Sequence, residues 1–188
     1  MDFKKATRLI SPLLVEGLLS VRKSSNNRLI EMLHQLDFST RSIKDIEGQI
    51  VIELQILDPD LLYLLLAGEA NKFLLASRVS LARSMQDQPK NASWQAVENY
   101  YSAYYAVHYL LRLTGQSLTN IEAQGVSSIL RSYYSSVKAP SIPAGLYFME
   151  YDDDSKILIL KKIKKSGGSH QTAWQLWEAL VDKIKAQA

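Results

Sequence analysis

The segment at residues 93–115 constrains the fold more than any other part of the chain. It reads SWQAVENYYSAYYAVHYLLRLTG, and in a helix its apolar and aromatic side chains would cover most of the circumference. A helix that is apolar nearly all round has to be buried, so we expect it at the centre of a bundle or across an oligomer interface. We therefore interpret its tyrosines as core residues rather than as stacking platforms for RNA bases; they are Tyr100, Tyr101, Tyr104, Tyr105 and Tyr109.

The composition is typical of one globular domain. The 188 residues are 47% hydrophobic and 22% charged, which suffices for one well-buried core but hardly for two. Because the chain has no cysteine, disulfides, thiolate metal sites and a cysteine nucleophile are excluded. The formal charge of +3 is only mildly basic and does not by itself indicate a nucleic-acid partner. No apolar run reaches the ~18 residues needed to cross a bilayer, so we expect a cytoplasmic protein without membrane contact.

The rest of the chain is expected to be mostly helical. Asp58 followed by Pro59 predicts the start of a long helix over about 60–85, and shorter patterns predict helices over about 123–134 and after the SGGSH turn. The stretches LYFMEY and KILILKKI flank three aspartates, which predicts a β-hairpin at about 144–165. The segment GQIVIELQIL, residues 48–57, fits either a strand or a helix.

The stretch NYYSAYYAVHYLLRLTG resembles the Tyr-Tyr-Ala, hydrophobic, His helix of many HEPN domains from prokaryotic defence and toxin systems. The resemblance covers roughly residues 58–186 and implies an up-and-down helical bundle, mostly α, with a small inserted β-hairpin and a tendency to dimerise. Residues 58–188 would form this domain, and residues 1–57 an N-terminal extension that packs on the core. Active members of the family cleave RNA without a metal ion, through an Arg-x(4-6)-His motif near the start of a late helix.

The place of that motif is held here by KKIKKSGGSHQTAW, so the resemblance assigns the catalytic histidine to His170. At a helix N-terminus, positive partial charge favours a neutral imidazole and attracts a phosphate to the same spot. Such an imidazole can remove the proton of a ribose 2′-hydroxyl for in-line attack on phosphorus, which gives a 2′,3′-cyclic phosphate. Where the motif has arginine, four or five intervening residues lead back to Lys165 or Lys164, the expected catalytic cations. Lysine supplies charge but lacks the rigid fork of a guanidinium.

Three further residues are expected to contact RNA beside His170, namely Lys161, Lys162 and Ser169. A structural interpretation is the alternative for these residues and for His170. The lysines could be the solvated end of a hairpin strand, and His170 could be a surface histidine after a glycine turn. His108, embedded in the tyrosine-rich helix, is interpreted as a core or interface histidine. The sequence has no phosphate-binding loop, nucleophile elbow or zinc-protease motif, so we expect neither a cofactor nor a metal.

Two functions follow as hypotheses. The first is a metal-independent endoribonuclease, or effector subunit, of a prokaryotic toxin–antitoxin or antiviral defence system, working as a homodimer with an antitoxin or defence-complex protein as partner. The second is a non-catalytic HEPN-like adaptor that binds RNA or a partner protein in a larger assembly. The lysine that stands in place of the motif's arginine is the reason to keep the second hypothesis.

Overall fold

The structure is a computed structural model, and it describes residues 8–21, 28–35, 37–86, 91–134, 139–164 and 168–186. In chain order it contains a 3-10 helix at Ser11–Leu13, α1 at Glu16–Ser20, α2 at Ile30–Gln35, β1 at Phe38–Ile46, β2 at Gln49–Ile56, α3 at Pro59–Ser84, α4 at Ala92–Leu113, β3 at Gln116–Ile121, α5 at Ala123–Arg131, β4 at Gly145–Asp152, β5 at Ile157–Lys162 and α6 at Gly168–Ala186. The helices predicted over 60–85 and 93–115 are confirmed as α3 and α4.

The strands form one antiparallel sheet of five, in the order β1-β2-β5-β4-β3. The predicted β-hairpin is confirmed as β4 and β5, and the segment that fitted either strand or helix is β2. β1 and β2, which lie within the predicted extension 1–57, are two strands of this sheet, and β2 pairs directly with β5. The expected mostly α, up-and-down helical bundle with a small inserted β-hairpin is therefore wrong, and the fold is a mixed α/β one.

The extra strands have a physical explanation in how sheets are stabilised. β2 alternates buried and half-buried residues along its whole length, as a strand with one core face should. β1 reads FSTRSIKDI and β3 reads QSLTNI, and neither contains a clear apolar alternation. Both become strands because they pair with β2 and β4, and such non-local pairing leaves only a weak local pattern.

The sheet buries residues on both faces, and the second face positions the candidate site. On the first face Ile52, Leu160 and Met149 lie in register and join the main core with residues of α1, α2, α5 and the first half of α3. On the second face Leu118 pairs with Phe148, and both pack against Tyr104 of α4 and Ala173 of α6. This packing holds the start of α6 against the tyrosines of α4.

Two sequence signals fix the ends of the long helices. The Asp58 carboxylate accepts a hydrogen bond from the Leu61 N–H at 3.0 Å, with Pro59 at the first helical position, as the sequence predicts. After α4 the chain turns at Gly115, whose φ of +73° is unfavourable for other residues and whose N–H bonds to the Arg112 carbonyl. Among the residues described, none of the helices has the length and apolar character needed to span a membrane.

Candidate functional site

His170 lies in the first turn of α6, which begins at Gly168 with a φ of +66°. The Thr172 hydroxyl donates to the Gly168 carbonyl at 2.9 Å, and Ala173 is fully buried between α6 and α4. These contacts fix the start of the helix on the protein while His170 itself stays exposed. The histidine is therefore held at the surface by the packing of the buried residue Ala173, one turn further along α6.

Two tyrosines of α4 fix the orientation of the His170 ring. The Tyr104 ring lies nearly parallel to the imidazole, with ring centroids 4.2 Å apart and an interplanar angle of 7°. The Tyr100 hydroxyl lies 2.9 Å from His170 Nδ1. Tyr101 completes the contact by approaching the imidazole edge-on at 6.0 Å. His170 Nδ1 is thus hydrogen-bonded to Tyr100, and acid–base chemistry of the exposed ring would use the other nitrogen, Nε2.

The Tyr100 hydroxyl can support either neutral tautomer of His170. Trp174 Nε1, which only donates, lies 3.3 Å from the Tyr100 oxygen and so uses that oxygen as an acceptor. When Tyr100 also accepts from Nδ1–H, the neutral imidazole presents a lone pair at Nε2 and can act as a base. When Tyr100 donates to Nδ1, Nε2 carries the proton and acts as a donor. A shift of the imidazole proton between Nδ1 and Nε2, together with rotation of the Tyr100 hydroxyl, therefore exchanges the two roles.

The interpretation of the tyrosines as core residues is wrong at the start of this helix. Tyr104 is 9% exposed and belongs to the core, whereas Tyr100 and Tyr101 are 40% and 38% exposed. Trp94, one helical turn and a half earlier, is 60% exposed. The reason is that α6 and the sheet cover only the second half of α4, which leaves the first half as an aromatic surface.

The lysines expected beside His170 make contacts elsewhere. Lys164 Nζ donates to the Glu47 carbonyl at 3.2 Å, in the turn between β1 and β2. Lys161 pairs with Glu150 at 3.4 Å, and Lys162 Nζ donates to the backbone carbonyls of residues 144 and 146. None of these contacts joins a lysine to His170.

The other two residues in the expected site differ in position. Lys165 lies outside the described residues. Ser169, expected to bind RNA, is exposed at the start of α6. Burial raises the pKa of Tyr104, and a hydrogen bond from the Ser169 side chain opposes that rise. Ser169 is therefore the one RNA-binding candidate that the structure brings next to the histidine.

A buried ion pair that the sequence did not reveal lies deeper along α4. Arg112 is 3% exposed and donates to Glu69 Oε2 from Nε at 2.8 Å and from Nη2 at 2.7 Å. Its Nη1 donates to the His108 carbonyl at 3.2 Å, and its guanidinium lies 4.3 Å from the centroid of the Phe73 ring. The i, i+4 spacing of His108 and Arg112 is visible in the sequence. Glu69 comes from a different helix, so no local pattern indicates it.

His108 belongs to the same buried group. It is 4% exposed, and burial, followed by the charge of Arg112, lowers its pKa to about 4. The imidazole is therefore neutral at neutral pH, and its Nε2 has no hydrogen-bond partner among the described residues. The interpretation of His108 as a core histidine is confirmed.

These rings form a continuous column, which we call the aromatic column, of Phe73, His108, Tyr104 and His170. Phe73 stacks on His108 with centroids 4.8 Å apart, and His108 meets Tyr104 edge-on at 4.6 Å. Tyr104 then stacks on His170. The exposed histidine is thus connected to a buried one through the Tyr104 ring, and through His108 to the ion pair.

A cavity of about 500 Å³ opens at the buried end of the column, between α3, α4 and β3. We call it the Arg112 cavity, and its lining residues are Arg28, Ile30, Glu69, Lys72, Phe73, Arg112, Leu118, Thr119, Asn120 and Glu122. Within the described parts of the chain, no group of three or more histidine or acidic side chains is arranged to hold a metal ion.

Comparisons of this chain with protein-family models, with curated proteins and with solved structures give no match. Function has to be inferred from the geometry around His170 and from the sequence resemblance.

Proposed function

We propose that this protein binds single-stranded RNA and cleaves it without a metal ion, with His170 as the general base. The observation that carries the proposal is the exposed imidazole of His170, held by the Tyr104 ring at 4.2 Å and by the Tyr100 hydroxyl at 2.9 Å. The two contacts act on different parts of the imidazole, since Tyr104 stacks on its face and Tyr100 bonds to Nδ1. Together they hold the ring in one orientation. Orientation of this kind is what a general base requires.

The reaction follows from these positions. With Nδ1–H donated to Tyr100, His170 Nε2 removes the proton of a ribose 2′-hydroxyl. The 2′-oxygen then forms a bond to the adjacent phosphorus, and the bond to the 5′-oxygen breaks, with a proton from water completing the leaving hydroxyl. The products are a 2′,3′-cyclic phosphate and a 5′-hydroxyl. Backbone N–H groups in the first turn of α6 are available to the phosphate oxygens.

The exposed aromatic side chains of α4 support single-stranded RNA as the substrate. Unpaired bases stack on aromatic rings, and a double helix does not expose its bases in this way. Tyr101 is 38% exposed beside His170, and Trp94 extends the same surface along α4. A strand that stacks on these rings would pass its backbone across the start of α6.

The HEPN resemblance of residues 93–115 and of the turn before His170 supports the same reaction. By that resemblance we propose a cytoplasmic effector of a prokaryotic toxin–antitoxin or antiviral defence system, controlled by an antitoxin or another defence-complex protein. The five-stranded sheet departs from the helical bundle that the resemblance implies. The proposal therefore depends on the local likeness around α4 and α6, and not on the whole fold.

We also propose a homodimer, supported by apolar side chains on the second half of α3. Leu75 and Met85 are 65% and 71% exposed, and Val79 and Leu81 lie on the same stretch. Leu75 and Val79 lie one turn apart, as do Leu81 and Met85, and exposed apolar side chains grouped in this way mark interaction surfaces. The double variant Leu75→Glu, Met85→Glu should run as a monomer in light scattering after size exclusion, and a monomeric wild type would contradict the dimer.

The test of the reaction is cleavage of a labelled single-stranded RNA in the presence of EDTA. Wild type should produce ends with a 2′,3′-cyclic phosphate, and His170→Ala should lose about 10²–10⁴ in rate, the usual contribution of a general base. Gln171→Ala, an exposed neighbour on the same helix, is the matched control and should cleave normally. Equal cleavage by wild type and His170→Ala, or no cleavage by either, would refute the proposed reaction.

The second candidate is a non-catalytic adaptor that binds RNA or a partner protein. It is favoured by the contacts of Lys161 with Glu150 and of Lys164 with the Glu47 carbonyl, which engage two of the expected cations away from His170. A lysine engaged in this way contributes less to stabilising the charge that develops on a scissile phosphate. This candidate predicts salt-dependent binding of uncleaved RNA that His170→Ala leaves intact.

A further inference from the structure

We propose that the Arg112 cavity is a binding site for a small organic anion rich in hydroxyl groups, such as a sugar phosphate or a sugar acid. The site is separate from His170 and does not depend on the proposed cleavage of RNA. Its volume of about 500 Å³ falls within the roughly 300–1,000 Å³ typical of small-molecule pockets.

The charge of the lining favours an anion. Three cationic side chains line the cavity, Arg28, Lys72 and Arg112, against the carboxylates of Glu69 and Glu122. Both oxygens of Glu69 are already used, since Oε2 accepts from Arg112 and Oε1 accepts from the Leu29 N–H at 2.9 Å. A ligand carboxylate or phosphate entering between Arg28 and Lys72 would meet positive charge near a buried guanidinium.

The rest of the lining favours hydroxyl groups on the ligand. Thr119 and Asn120 from β3 offer both donors and acceptors, and the Glu122 carboxylate accepts from hydroxyls. The cavity therefore suits a polyhydroxylated molecule with one anionic group.

The walls of the cavity are held in place without a ligand. Arg112 is fixed by its two bonds to Glu69, and the Glu69 bond to the Leu29 N–H connects α3 to the start of α2. A binding site that is already ordered loses little conformational entropy on binding. Arg28 and Lys72 are exposed, so a ligand that enters from solvent can reach both.

Calorimetric titration of the full chain with glucose 6-phosphate and with gluconate tests the proposal, and glucose serves as the uncharged counterpart. At least one anion should bind more tightly than glucose, and comparison of the two distinguishes phosphate from carboxylate as the recognised group. Replacing Arg28→Gln or Lys72→Gln should weaken binding by about tenfold or more, the effect expected for one charge-assisted hydrogen bond.

Lys185→Gln is the matched control, because Lys185 is an exposed lysine on the last turn of α6, paired with Asp182. It should bind the anion as wild type does. Failure of both anions to bind more tightly than glucose would overturn the proposal, as would equal affinity in the double variant Arg28→Gln, Lys72→Gln. RNA cleavage by wild type is measured separately, so a negative result for anion binding does not affect the proposed cleavage, and the reverse also holds.

Discussion

The imidazole of His170 lies flat on the ring of Tyr104, with centroids 4.2 Å apart and planes inclined by 7°. Tyr104 is buried and belongs to the core between α4, α6 and the sheet, whereas His170 is exposed. The position of the proposed base is therefore set by the packing of the core and not by a flexible loop. Most of what can be tested about the site follows from this contact and from its neighbours.

Tyr100→Phe should slow RNA cleavage by up to about tenfold, because it removes the hydrogen bond that fixes His170 Nδ1. The ring and its stacking remain, so KM should change less than kcat. The measurement is the rate of cleavage as a function of RNA concentration. Tyr101→Phe is the matched control, since Tyr101 meets His170 through its ring edge. If the two variants lose the same rate, the Tyr100 hydroxyl has no orienting role.

The stability of the fold should depend on the protonation of His108. The unfolded imidazole titrates near its ordinary pKa of 6.5, whereas burial and Arg112 lower the folded pKa to about 4. The contribution of His108 is thus complete above pH 6.5 and is lost as the pH falls towards 4. Between pH 7.5 and pH 5 the free energy of unfolding should drop by about 2 kcal/mol from this group alone.

Urea unfolding at the two pH values measures that drop. His108→Phe keeps an aromatic ring in the stack with Phe73 but cannot be protonated, so its pH dependence should be smaller by the same amount. An unchanged pH dependence in this variant would show that His108 does not carry the effect.

Glu69→Gln should lower the free energy of unfolding by about 3–5 kcal/mol, because it leaves the Arg112 guanidinium buried without its counter-charge. Urea titration of the variant gives the value directly. Glu150→Gln is the comparison, since Glu150 pairs with Lys161 and Lys183 near the surface and should cost less than about 1 kcal/mol. Similar losses for both variants would mean that burial does not distinguish the two ion pairs.

Trp94→Ala should weaken binding of single-stranded RNA by about 1–3 kcal/mol, the usual contribution of one stacked base. Trp94 is 60% exposed, so little stability should be lost. Fluorescence anisotropy with a labelled oligonucleotide measures the affinity. Leu130→Ala, which removes an exposed apolar residue from α5, should bind RNA as wild type does. An unchanged affinity of Trp94→Ala would remove α4 from the RNA-binding surface.

Much of the helical part of the fold could be predicted from local chemistry. Asp58 and Pro59 determine where α3 begins, and Gly115 suits the end of α4. The five-stranded sheet could not be predicted, because β1 and β3 are defined by pairing with strands distant in sequence. A prediction made from local patterns, one element at a time, therefore misses strands that form by pairing with other strands.

The candidate site was predictable only in part. The position of His170 at a helix start follows from the SGGSH turn, but its contacts with Tyr100 and Tyr104 depend on how α6 packs on α4. The expected partner lysines follow sequence spacing, yet Lys164 reaches the β1–β2 turn instead. Spacing along a chain fixes distance only within one element, and β5 and α6 are separate elements.

The outer half of the α3–α4 hairpin differs from its base in what holds it together. Between residues 71 and 101, in the parts that the structure describes, Ser84 is the one buried side chain. Polar bonds join the two helices there, including the reciprocal pair in which Ser77 donates to the Ser102 carbonyl at 2.9 Å and Ser102 to the Ser77 carbonyl at 3.0 Å.

Amide hydrogens in this outer half should therefore exchange with solvent faster than those at the base, because its local opening exposes little apolar surface. Tyr100 stands at the boundary, and Tyr104 lies one turn inside the stable part. The tip carrying Trp94 can consequently open locally while the ring beneath His170 keeps its place.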